Sequence, residues 1–137
     1  MKRFREMNGI VYLCSYYVLW CTKYKREVLT EEISKRIEEV MKDTCTAKEA
    51  EIREIEVGGN YVSCRIEVAP QLGIHKVVKA IKSDTSSIIR KEFPETKKKL
   101  PTLWTNSYFV TTAEESIEEA IHSYVQSQPN TWRKGED

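Results

Sequence analysis

The chain has 137 residues, of which 40% are hydrophobic and 31% charged, and 22 Lys+Arg against 21 Asp+Glu leave a formal net charge of +1. That length predicts one ordinary core: a single domain over 1–137, with its core at 11–128 and flexible ends at 1–8 and 129–137. No apolar run approaches the roughly 20 residues of a membrane span, and no signal-like stretch follows Met1-Lys2-Arg3, so a cytoplasmic protein with no membrane partner is expected.

In chain order, Val11 to Cys21 is rich in β-branched and aromatic residues and reads as a first strand. Ile33, Ile37, Val40 and Met41 recur at helical spacing behind Thr30, a good N-cap, and mark a first amphipathic helix. Ile52 to Val57 and Tyr61 to Val68 alternate apolar and polar positions, and the intervening Gly58-Gly59-Asn60 is hairpin punctuation. Ile74, Val77, Val78, Ile81, Ile88 and Ile89 mark a second helix that must end before Pro94. Leu103 to Thr111 reads as a fourth strand. Thr112 with Glu115 forms a capping-box pattern opening a last helix, Ala113 to Gln128, which stops at Pro129.

The order β-α-β-β-α-β-α predicts an α+β fold: a ferredoxin-like split βαβ antiparallel sheet with an additional C-terminal helix. Such a sheet has one helix-covered face and one face open to a ligand, but the architecture alone does not choose a function. The four cysteines, Cys14, Cys21, Cys45 and Cys64, have no C-x-x-C spacing, and two histidines do not complete a zinc set, so reduced thiols in strands or core are expected. Bases gather at Lys2 to Arg5, Lys23 to Arg26 and Lys97 to Lys99, in expected loops and arms. Acids gather on expected helix faces, Glu31 to Glu39 and Glu114 to Glu119. The near-neutral total is weak support for a nucleic-acid partner, and these charges are also what a solvated surface carries.

Tyr124 falls with Ile117, Ala120, Ile121 and Val125 on one helical stripe, so by itself it reads as a half-buried packing tyrosine. Gln128 lies one turn further on, and His122 points elsewhere around the helix. The conjunction of segments says more. Trp20-Cys21-Thr22-Lys23-Tyr24-Lys25-Arg26-Glu27-Val28-Leu29, Glu56 to Pro70, Leu103 to Val110 and Tyr124-Val125-Gln126-Ser127-Gln128 follow one another in an order that resembles the insertion-sequence-200-like transposases, single-tyrosine HUH enzymes.

The resemblance spans Tyr12 to Gln128 and implies a homodimer whose sheet is joined across the two-fold, binding hairpins or single strands of DNA. It implies that Tyr124 is the nucleophile, leaving a 5′-phosphotyrosine, and that Gln128 helps to hold a metal. The chemistry needs such an ion. A tyrosine with a reference pKa of about 10 is a poor nucleophile near neutral pH, and the phosphate it attacks is itself anionic.

The family fixes the ion with a His-hydrophobic-His strand, and the matching residues here are Asn60-Tyr61-Val62-Ser63-Cys64. Tyr61 and Ser63 thus occupy the family's histidine positions, and a phenol and a hydroxyl are poor ligands beside imidazole or carboxylate. Glu67 or Glu114 are the nearby carboxylates that would have to substitute. Ala113-Glu114-Glu115 replaces the family's hinge glycine, and Lys82-Ser83-Asp84-Thr85 replaces its Lys-Gly-Lys-Ser, with an acid expected to weaken a phosphate contact.

The binding surface is better kept. Lys23, Lys25, Arg26, Lys82, Arg90, Lys97, Lys98 and Lys99 are expected to track a nucleic-acid backbone while Tyr24 stacks on an unpaired base; Trp104 and Tyr108 read as packing. The expectation is a transposase-like homodimer that binds hairpin or single-stranded DNA, or structured RNA, without a cofactor and without cleavage. The alternatives are an active transposase using Mg²⁺ or Mn²⁺, and a dimeric scaffold that has lost nucleic-acid binding as well.

Overall fold

A computed structural model describes residues 5–113 and 117–127, which form two compact units. The larger, Cys14–Ala113, contains a four-stranded antiparallel sheet. Its strands are β3 (Ser15–Cys21), β4 (Glu51–Val57), β5 (Tyr61–Glu67) and β6 (Phe109–Thr112), and its helices α1 (Glu31–Ala47), α2 (Ile74–Glu92) and the short α3 (Glu95–Lys99). The smaller unit holds the hairpin β1 (Arg5–Met7) and β2 (Ile10–Tyr12) and, in its C-terminal segment, α4 (Ile117–Ser127).

The strand order is β4-β5-β3-β6, every neighbour antiparallel. This is the ferredoxin-like split βαβ arrangement, in which each crossover helix connects two strands separated by a third. Alternation explains the two faces. Val18 and Trp20 of β3 pair with Cys64 and Val62 of β5, and all four are buried with Ile66 against the helices. The helices supply Ile33, Ile37 and Met41 from α1 and Val77, Val78, Ile81 and Ile89 from α2. Thr30 caps α1, its hydroxyl accepting from the Ile33 N–H at 3.3 Å. Gly73, at φ +81°, precedes α2 in a left-handed conformation that few residues other than glycine adopt.

Several expectations differ from the structure. The expected first strand breaks at Leu13-Cys14, and residues from Arg5 onward, expected to be a loose end, pair in a hairpin. Of Leu103 to Thr111 only Phe109 onward joins the sheet. Leu103 and Trp104 are instead buried in an irregular segment, tied to β3 by a single bridge between Trp104 and Thr22. Thr112 closes β6 and the Ala113 N–H bonds the Ser15 carbonyl, which keeps the sheet pairing where a helix start was expected. Lys97 to Lys99, expected as loop, form the last turn of α3, with Thr96 Oγ1 bonded to the Phe93 carbonyl beneath them.

Candidate nucleic-acid interface

After β3 the chain turns sharply through Lys23–Lys25, with Tyr24 at φ 59° and Lys25 at φ 53°. Two successive non-glycine residues in the left-handed region cost about 1–2 kcal/mol each, so the turn must be held by its surroundings. Thr22, fully buried, does this: its hydroxyl donates to the Arg26 carbonyl at 2.7 Å and its N–H to the Asn60 carbonyl at 2.9 Å. Asn60 of the β4-β5 turn donates back to the Lys25 carbonyl at 3.3 Å, and the Lys23 N–H reaches the Leu103 carbonyl at 3.0 Å. The result displays Tyr24 at 67% exposure, with Lys23 Nζ 5.3 Å from its ring centroid and Lys25 and Arg26 exposed beside it. An aromatic face fringed by cations suits an unpaired base and its phosphates.

The other expected cations divide. Lys97, Lys98 and Lys99 are exposed on α3. Lys82 and Arg90 are occupied within the fold. Lys82 Nζ donates to the Thr105 and Ser107 carbonyls at 2.7 and 3.0 Å, and burial lowers its pKa. Arg90 Nη2 donates to the Leu100 and Pro101 carbonyls at 2.9 and 3.2 Å. These two side chains staple the irregular segment 100–107 to α2. Asp84, expected to repel phosphate, accepts from Thr44 Oγ1 of α1 at 2.8 Å and bridges the helices.

Tyr61 and Ser63 lie on the open face of β5, opposite Cys21 and Leu19 of β3. The Tyr61 ring folds over Gly58, where any Cβ would collide with it. The negative charge of Glu56 on β4 raises the Tyr61 pKa above the usual tyrosine range, helped by desolvation and by a hydrogen bond to the same carboxylate. Tyr61 is thus held as a neutral phenol turned toward a carboxylate.

Glu67, the nearest substitute ligand on the strand, is ion-paired instead. Arg53, at the β4 bulge, donates to its two oxygens at 3.2 and 3.4 Å and also pairs with Glu51 at 2.9 Å. Arg65 faces Glu54 at 3.5 Å. On β4 and β5 this face carries the carboxylates Glu51, Glu54, Glu56 and Glu67 and the guanidiniums Arg53 and Arg65. Among the described residues no three His, Cys, Asp or Glu side chains gather as a metal site. At the two histidine positions the donors are a phenol and a hydroxyl, both poor ligands for a divalent ion.

Tyr124, on α4, is 42% exposed, and Ile121 and Val125 on the same stripe are 59% and 62% exposed. Gln128 and Glu114 lie outside the described residues. Trp104 is a packing residue, as expected: its Nε1 donates to Thr85 Oγ1 at 2.9 Å and its ring meets Trp20 edge-on at 5.9 Å. Thr22 and Asn60 stand in the segments quoted from the sequence without a role of their own there; that they hold the exposed turn is visible only in the hydrogen bonds.

Comparison with known proteins accords with this geometry. The family model described as "Transposase IS200 like" matches residues 10–128. The chain is 30% identical over 126 residues to the ISDra2 transposase TnpA of Deinococcus radiodurans, covering 90% of each, and 22% identical over 125 residues to the transposase for insertion sequence element IS200 of Salmonella typhimurium, covering 82% of it. A crystal structure of a Deinococcus radiodurans R1 protein assigned as a transposase superposes with a TM-score of 0.74 at 30% identity, over 90% of this chain and 97% of that one. A REP-associated tyrosine transposase bound to a REP hairpin shares the fold with a TM-score of 0.57 at 11% identity, over 89% of this chain and 68% of that one.

Proposed function

Because the chain belongs to the IS200-like transposase family, we propose that it binds hairpin or single-stranded nucleic acid as a homodimer and does not cleave it. The observation that carries the reading is the contrast between two surfaces. The turn at Lys23 to Arg26 offers an exposed aromatic and three cations on a strained backbone that the fold holds in place. The open sheet face, where the family's histidines would stand, carries Tyr61 and Ser63, with the Glu56 carboxylate beside Tyr61. An anionic phosphate placed there without a divalent ion would meet repulsion rather than activation.

Two further observations support the homodimer. Ile121 and Val125 of α4 are exposed, and so are Tyr17, Leu19 and Phe109 on the open face of the sheet, with Phe109 at 63%. Each is an apolar surface of the kind a second copy would cover. In this reading Tyr124 keeps the nucleophile's place in the sequence without a metal to activate its target, and the protein is cytoplasmic.

The test is retention of labelled hairpin DNA and RNA, with and without Mg²⁺ or Mn²⁺, across a range of salt. Salt-sensitive retention that is indifferent to the divalent ion is expected. Absence of retention in either form would leave a dimeric scaffold. A companion variant, Tyr61→His with Ser63→His, asks whether the ligands alone are missing; if ion binding does not return, the pocket itself has changed.

A further inference from the structure

Asn60 reaches the exposed turn through main chain and side chain at once. Its carbonyl accepts from the Thr22 N–H at 2.9 Å, and its side-chain nitrogen donates to the Lys25 carbonyl at 3.3 Å. Lys25 is the second of two successive left-handed residues, at φ 53° after Tyr24 at φ 59° and ψ 16°. Such a pair persists only where its surroundings over-determine it. The bonds that close the turn are local: the Lys25 N–H donates to the Thr22 carbonyl at 3.0 Å and the Arg26 N–H to the Lys23 carbonyl at 3.3 Å. The Asn60 amide adds an attachment from 35 residues away in sequence. Its own turn is fixed in place, because the Leu29 N–H donates to the Gly59 carbonyl at 3.0 Å and the Gly58 N–H to the Tyr61 carbonyl at 2.9 Å. The contact also has a chemical direction. A carbonyl only accepts, so the group facing Lys25 must be a donor, and a carboxylate of the same size would set acceptor against acceptor.

The turn offers a strand two contributions that differ in what they demand of the backbone. The charges of Lys23, Lys25 and Arg26 act over about 8–10 Å at ordinary salt and tolerate a relaxed turn. Stacking on Tyr24 needs the ring plane itself in place. We propose that Asn60 is the positioning residue on which the turn's preference for a base depends: by holding the Lys25 peptide it holds the Tyr24 ring in the orientation that stacks. The inference rests on the nucleic-acid reading and assigns Asn60 to base discrimination rather than to charge.

The full chain is titrated, at several salt concentrations, against a labelled DNA hairpin with a single-stranded thymidine tail and against the same hairpin with an abasic tail. The native protein is expected to favour the thymidine tail by at least about fivefold, the effect of one stacked base, and Tyr24→Ala to lose that preference. Asn60→Ala is expected to bring the ratio of the two affinities to within about twofold of unity, while the salt slope on the abasic tail stays unchanged because no cation is removed. Asn60→Asp, which keeps the size of the side chain, is expected to lose the ratio in the same way and serves if the alanine variant does not fold. A folded Asn60 variant that weakens both tails equally and keeps the native ratio would make Asn60 merely structural and overturn the proposal. A native protein that binds both hairpins without preferring the base would also overturn it, leaving the nucleic-acid reading intact. Failure of the native protein to bind either hairpin would overturn the nucleic-acid reading and this inference with it.

Discussion

Replacing Lys23, Lys25 and Arg26 together by alanine removes half of the cations that the fold leaves available to a strand. Eight basic side chains were expected to contact nucleic acid; Lys82 and Arg90 are bound to backbone carbonyls, which leaves six. Each phosphate neutralised on a single strand contributes about −0.7 to the slope of log affinity against log salt, so these six contacts on one protomer contribute about −4 and the three left in the triple variant about −2. Between about 50 and 200 mM salt that corresponds to an affinity loss of roughly 300-fold in the native protein and roughly 20-fold in the variant. Fluorescence anisotropy with a labelled hairpin at several salt concentrations reads both slopes. An unchanged slope in the variant would show that the strand does not run over this turn, and the argument from its strained display of Tyr24 would fall with it.

Thr85 is fully buried and accepts the Trp104 indole N–H, so Thr85→Val strands that donor and should cost about 1–3 kcal/mol in urea unfolding. Glu56→Gln removes the charge that raises the Tyr61 pKa, so the Tyr61 resonance should titrate at lower pH in the variant; no change would disprove the Tyr61–Glu56 contact. Burial pushes the Cys45 thiol up to about 11 and the Cys64 thiol up to about 12. Both should resist thiol reagents in the native state and react on unfolding. Because the folded values exceed the unfolded one, near 8.5, their contribution to stability is complete below that pH and is lost as pH rises toward 11 and 12. Denaturant midpoints that rose over this interval would contradict that sign.

The helices and the central strands were legible because their burial is periodic. Ile33, Ile37, Val40 and Met41 on α1 and the alternation of β5 translate directly into faces, and Pro94 stops α2 as its ring requires. What escaped depends on tertiary contacts. Leu103 and Trp104 resemble strand residues in composition, yet they are buried by packing on Trp20 and Thr85 rather than by sheet pairing. Lys82 and Arg90 read as free cations because nothing local reveals that the carbonyls of 100–107 lie within their reach. Glu67 was a candidate ligand in sequence, but the β4 bulge brings Arg53 onto it. The replaced histidine positions were visible residue by residue; that Glu56 of β4 stands beside them needed the strand register.

The most direct test of binding without cleavage is to incubate the protein with a labelled single-stranded hairpin oligonucleotide and Mn²⁺, then measure covalent adduct by denaturing gel and intact mass. The account predicts a retained complex that dissociates completely on denaturation, with native protein and Tyr124→Phe indistinguishable. A covalent protein–oligonucleotide adduct in the native protein that Tyr124→Phe abolishes would contradict it.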